Sequence, residues 1–126
     1  MDNLKINATK CTPEIFSDYE NNIFDIRGDS YPEDAKEFYE PVCSWLEEYL
    51  GQLEDRKFAV NMELIYFNSS SAKVLTDIFD MLEEANSNEN IIINWIYDED
   101  NEDALDIGEE FQEDLESLEF NLVKKE

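Results

Sequence analysis

Histidine is absent from this 126-residue chain. Without it there is no Ser-His-Asp triad and no metal site with a histidine ligand. Glycine is scarce, with three residues, and none lies in a run that would cradle a phosphate. The two cysteines, Cys11 and Cys43, are too few for a disulfide-built secreted scaffold. Cys43 falls within a helical apolar pattern and reads as a small core residue. No basic start followed by an apolar run marks a signal peptide, and no apolar stretch approaches membrane-spanning length. A reduced, cytoplasmic protein is expected. The last shortage is positive charge. Nine Lys and Arg stand against 33 Asp and Glu, for a net charge of -24, and none of the nine lies between Val74 and Val123. That field opposes nucleic-acid phosphates and anionic membranes and attracts partners with a basic face. A protein that imitates DNA would share this composition and stands as one alternative.

The charge does not imply disorder. Hydrophobic residues make up 42% of the chain and aromatics 13%, enough for one domain with a real core. Leu4 and Ile6 suit a short strand. Ile15 to Ser17 and Ile23 to Ile26 flank Asn21-Asn22 as two antiparallel strands, which Gly28-Asp29-Ser30 should end. A helix follows. Ser30 and Glu33 have capping-box spacing, and Pro32 fits a first turn. Ala35, Phe38, Val42, Trp45 or Leu46, and Tyr49 repeat on one face. Pro41 should kink this helix without ending it, and Gly51 should stop it.

Phe58, Val60, Met62, Leu64 and Tyr66 then alternate as a strand with one buried face. Leu75, Ile78, Phe79 and Leu82 line a second helix, closed by Asn86-Ser87-Asn88. Ile91 to Tyr97 is the most apolar run and suits a central strand covered on both sides. Ala104, Ile107 or Gly108, Phe111 and Leu115 line a third helix, and Phe120 and Leu122 a last strand. Helices alternating with strands give an α/β class: a mixed β-sheet packed against helices in a single domain spanning 1–126.

Two segments carry candidate chemistry. Asn68-Ser69-Ser70-Ser71 sits between a strand and a helix. One polar residue there serves as an ordinary N-cap. Three serines exceed what a cap needs, and a phosphate on one would meet unpaired N–H groups and the positive helix end. The second segment is Tyr97-Asp98-Glu99-Asp100-Asn101-Glu102. It reads as a solvated helix start or as an acidic docking edge with Tyr97 as an aromatic contact. Asp98 and Asp100 also suggest a weak Ca²⁺ or Mg²⁺ site, which keeps a metal-binding module as a second alternative. The EF-hand pattern fails, since Asp103 stands where its glycine belongs. The abundant carboxylate pairs select no enzyme class, because such pairing is expected at this acidity.

Several separated segments form an ordered set. They are Thr12-Pro13, Gly28-Asp29-Ser30-Tyr31-Pro32-Glu33, Tyr66 to Ser71, Trp95 to Asn101, and Gly108-Glu109-Glu110-Phe111 with Glu113-Asp114. On these, nearly the whole chain resembles the SiaC-type biofilm-regulating phosphoproteins. The resemblance implies a fold like that of the anti-sigma factor antagonists (STAS). It implies a non-enzymatic partner switch in cyclic di-GMP signalling. The unphosphorylated form binds and activates a diguanylate cyclase or a comparable effector. A cognate serine/threonine kinase phosphorylates the protein and releases the effector, and a phosphatase reverses this. No cofactor is implied. The family phosphosite follows the Asn of a Tyr-x-Asn motif, which maps to Ser69, with Ser70 and Ser71 as lesser choices. Asn68, Ser69 and Ser70 together with Tyr97 to Glu102 form the expected partner surface.

Overall fold

The computed structural model describes residues 1–125. One sheet runs in sequence order: β1 (Lys5–Ile6), β2 (Glu14–Asp18), β3 (Ile23–Ser30), β4 (Phe58–Phe67), β5 (Ile91–Tyr97) and β6 (Glu119–Lys124). β1 to β3 pair antiparallel, and β3 to β6 pair parallel. Each parallel step carries one helix: α1 (Ala35–Leu53), α2 (Ser69–Glu84) and α3 (Glu102–Asp114). Such crossovers are right-handed. Three of them stepping the same way place all three helices on one face. This is the α/β arrangement expected from the sequence, a mixed sheet packed against helices.

Apolar alternation sets the buried face. Phe58, Val60, Met62 and Leu64 on β4, and Ile91, Ile93 and Trp95 on β5, are at most 2% exposed. They meet Val42, Leu46 and Tyr49 of α1, and Leu75, Ile78, Phe79 and Leu82 of α2, in one core. Trp45 stacks on Tyr49 at 4.8 Å. Trp95 sits between Phe111 and Phe120 and donates its indole N–H to Ala104 O at 2.9 Å.

The other face of the sheet has no helix on it. β5 is therefore covered on one face only, contrary to the expectation drawn from its apolar run. Ile92, Asn94 and Ile96 are half-buried there. In-register amides cross this face: Asn61 donates to Asp25 at 2.9 Å, Asn94 to Asn61 at 2.9 Å, and Asn121 to Asn94 at 3.2 Å. Neighbouring strands thus satisfy one another's polar groups where solvent has partial access.

Local signals were overridden at several points. Gly28-Asp29-Ser30 does not end β3. The strand continues through Ser30 across a register shift, with Gly28 at φ +119°, where glycine alone is unstrained. Ser30 is consequently core, and the cap of α1 is Asp34, whose carboxylate accepts from Glu37 N at 3.0 Å. Pro32 precedes the helix rather than opening it. Pro41 lies inside α1 without ending it. Gly51 does not stop the helix, which runs to Leu53 and leaves through Glu54 at φ 55°. α2 does close before Asn86-Ser87-Asn88 as expected, with Ala85 as its cap, and Asn86 is buried, accepting from Ile91 N and donating to Ser117 O. Leu115 caps α3 rather than lying within it.

Candidate functional site

The C-terminal ends of parallel strands feed the N-terminal ends of the helices, so the β3–α1, β4–α2 and β5–α3 connections share one edge of the sheet. The serine run occupies the middle connection. Asn68 is extended, at φ -84° and ψ 174°, and its side chain accepts from Ser71 N at 2.9 Å. Its carbonyl accepts from Ala72 N, and its own N–H donates to Ser30 O at 3.1 Å, which fixes the turn to β3. The cap is therefore Asn68, and the serines lie within the helix. Ser69 and Ser70 are exposed, whereas Ser71 is 0% exposed. α1 carries Glu37 in its first turn and α3 carries Glu102 and Asp103, but the first turn of α2 contains no acid. In so acidic a chain, this helix start keeps its positive end without a carboxylate from its own first turn.

Beneath the serines lies a hydroxyl chain that sequence patterning did not reveal. Ser30 Oγ is 2.6 Å from Tyr39 OH and donates to Ser71 Oγ at 2.9 Å. The Tyr39 phenol therefore donates to Ser30. All three residues are 0% exposed. The chain joins β3, α1 and the first turn of α2. Burial pushes the Tyr39 phenol up to about 12. The sign follows from linkage. The unfolded chain ionises Tyr39 near 10 while the folded chain holds the proton, so this stabilisation is complete below pH 10 and is lost as pH rises through about 12. A difference of two pKa units corresponds to about 2–3 kcal/mol. Thermal melts followed by circular dichroism should show stability falling across that interval, and Tyr39→Phe should flatten the fall. An equally steep fall in Tyr39→Phe would assign the effect elsewhere, first to Tyr49, which burial also raises to about 12.

The acidic segment lies on the next connection. Asp98, Glu99, Asp100 and Glu102 are exposed, while Tyr97 and Asn101 are half-buried. Asn101 caps α3, accepting from Ala104 N at 3.1 Å, and its amide donates to Ile65 O at 2.9 Å. The second bond has a structural cause. The β4–β5 ladder ends at Met62↔Trp95, so the last residues of β4 outrun their strand partner, and the Asn101 side chain takes over one carbonyl. It ties the acidic segment to the strand that leads into the serines. The acidic segment is thus tied to β4 three residues before Asn68, on the edge from which the helices start.

The metal alternative finds no support here. Asp98 turns a carboxylate oxygen inward to accept from Asp100 N at 2.9 Å. Among the described residues, no three Asp, Glu or Cys side chains gather in a metal-holding group. Sequence reading also missed a small charge cluster. Glu63 receives Arg27 Nη1 and Lys125 Nζ, each at 2.8 Å, and this pairing holds the Lys125 ammonium above its ordinary value. Strand register is its signal, since Arg27 lies opposite Glu63. Cys43 is half-buried, and its thiol is raised by burial and then by the carboxylates of Glu47 and Asp77. It lies in a groove of about 780 Å³ between α1 and α2 that opens beside Ser70.

Comparison with known proteins decides the family. The profile of the "SiaC family regulatory phosphoprotein" matches residues 6–125. The chain belongs to the SiaC family. A protein of Pseudomonas aeruginosa is 37% identical over 115 residues, covering 90% of each chain. The solved structure of SiaC from the same organism is 33% identical, with a TM-score of 0.88 over 99% of this chain and 100% of that one. A crystal structure of the diguanylate cyclase SiaD in complex with its activator SiaC aligns at 36% identity and a TM-score of 0.89, over 97% of this chain and 99% of the other. The STAS-like fold that the family resemblance implied is therefore the SiaC fold, and the chain is a regulatory protein of that family. Among the described residues, no helix is long and apolar enough to cross a membrane.

Proposed function

We propose that this chain is a phosphorylation-gated activator of a diguanylate cyclase. The unmodified chain binds the cyclase and raises cyclic di-GMP synthesis, and through it biofilm formation. A cognate serine/threonine kinase transfers the terminal phosphoryl group of ATP to Ser69 Oγ, and the cyclase is released. A phosphatase hydrolyses the ester and resets the switch. One observation carries this reading: Ser69 is exposed on the acid-free first turn of α2, on the edge shared with the Tyr97 to Glu102 segment. A phosphate there adds about -1.5 to -2 charges. The helix start stabilises it locally, while a partner held by the acidic segment meets a changed field. Ser70 is exposed as well, but it follows the motif position by one residue. Membership of a regulatory phosphoprotein family supports the same assignment, and so does the relative crystallised as the activator of a cyclase.

The direct test measures cyclic di-GMP produced by the cognate SiaD-type cyclase. The unmodified chain should stimulate it, the kinase-treated chain should not, and phosphatase treatment should restore stimulation. Tandem mass spectrometry should place the phosphate on Ser69. Stimulation that is indifferent to phosphorylation would reject the switch.

A further inference from the structure

The exposed large apolar side chains are few and unevenly placed. Five large hydrophobic residues are exposed among those described: Phe16, Tyr31, Ile65, Tyr66 and Val123. Three of them gather at one corner. Tyr66 is 56% exposed and meets Tyr31, 37% exposed, edge-on with ring centroids 5.7 Å apart. Ile65, beside it in the chain, is 61% exposed. Consecutive strand residues point to opposite faces, so one of the two would ordinarily be covered. Neither is, because Ile65 and Tyr66 together stand opposite Asp29 where the β3–β4 register shifts, and β4 has here run past its β5 ladder. Next to Ile65 lies a depression of about 340 Å³, lined by Ile96 and Tyr97 and rimmed by Asp98 and Asp100.

We infer that Tyr31, Ile65 and Tyr66, at the bulged end of β4, form the anchoring surface for a partner segment that presents apolar side chains flanked by Lys or Arg. This rests on the activator reading above and names the contact it uses. Tyrosine and aliphatic anchors supply the buried centre of an interface, and charged rims set its orientation and association rate. The charge on the page selects the occupant. Asp98, Glu99 and Asp100 are exposed beside Ile65, Glu33 and Asp34 are exposed shortly after Tyr31 in the chain, and the one cation lining the depression, Lys125, is already paired with Glu63. A segment with an acidic rim would be repelled. A basic rim is drawn in, and it would feel a phosphate on Ser69, three residues beyond Tyr66. The anchoring aromatics are thus Tyr31 and Tyr66, with Tyr97 half-buried in the adjoining depression.

The test is calorimetric titration of the full chain with the cognate SiaD-type cyclase. Ile65→Ser combined with Tyr66→Ser should weaken binding roughly 30-fold or more, as loss of a hot spot does. Tyr31→Ser, which lies outside every strand and leaves its backbone bond to Cys11 in place, should weaken it independently. Phe16→Ser, an exposed apolar residue on β2, should leave affinity unchanged. Added salt should weaken wild-type binding. Wild-type affinity retained by folded patch variants overturns this surface and leaves the activator reading standing. No binding by the wild-type chain overturns the activator reading and this inference with it. A wild-type dimer that the patch variants turn into a monomer would assign the patch to a second copy and overturn the proposal.

Discussion

Gly108→Ala is expected to destabilise the fold by about 1–3 kcal/mol, although alanine is the better helix former. Gly108 is buried in α3 against β5 and β6. A Cβ built there would stand 2.6 Å from Trp95 Cδ1, 2.7 Å from its Nε1 and 2.9 Å from Leu122 Cδ2. Side-chain carbons do not approach so closely, so something must move. The indole has little room to do so. It is 1% exposed, bonded to Ala104 O, and flanked by Phe67, Phe111 and Phe120. The helix must therefore lift. Lifting α3 also displaces Asn101 and the acidic segment it ties to Ile65, so stability and partner binding should fall together. Gly51→Ala is the matched control. It lies in α1 with nothing within 4 Å of a new Cβ, and it should gain roughly 0.5–1 kcal/mol from helix propensity alone. Urea unfolding of both variants checks this, read as a midpoint shift at constant slope. A Gly108→Ala chain as stable as the parent would show that the Trp95 pocket yields.

The same pocket illustrates what sequence patterns can and cannot disclose. Period-two alternation on β4 correctly identifies Phe58, Val60, Met62 and Leu64 as buried, because a helix layer covers that face over their whole length. It fails at Tyr66, which continues the alternation but lies where the β3–β4 register shifts, beyond the β5 ladder. Alternation reports which face a residue joins only while the pairing register holds. The apolar run Ile91 to Tyr97 suggested two covered faces. Asn94 at its centre was the contrary sign, since it belongs to an amide row on the uncovered face. Ser30 had the spacing of a helix cap, but capping is a local signal, and the continuation of β3 to pair with β4 overrode it. The edge that carries both site segments was legible, because the strand-to-helix connections of parallel strands emerge on the same edge. The hydroxyl chain below it was not, because Ser30, Tyr39 and Ser71 are brought together only by tertiary packing.

Alanine substitutions along the serine run are expected to separate into three outcomes. Ser69→Ala should abolish phosphate incorporation and leave the melting temperature nearly unchanged. Its side chain is exposed, and the cap belongs to Asn68, so no native hydrogen bond is lost. With kinase and ATP present, this variant should remain bound to the cyclase. Ser70→Ala should alter neither property by much, since that side chain is also exposed and carries no cap. Ser71→Ala should behave in the opposite way to Ser69→Ala. It removes the acceptor for the Ser30 hydroxyl in a site with 0% exposure, where an unsatisfied group costs about 1–3 kcal/mol. Its melting temperature should drop while phosphate still enters at Ser69. Thermal melts paired with intact-mass measurement after kinase treatment read both properties on the same samples. Loss of phosphate in Ser70→Ala with retention in Ser69→Ala would move the modified position by one residue. Unchanged stability in Ser71→Ala would show that the buried hydroxyl chain contributes nothing to holding the first turn of α2 in place.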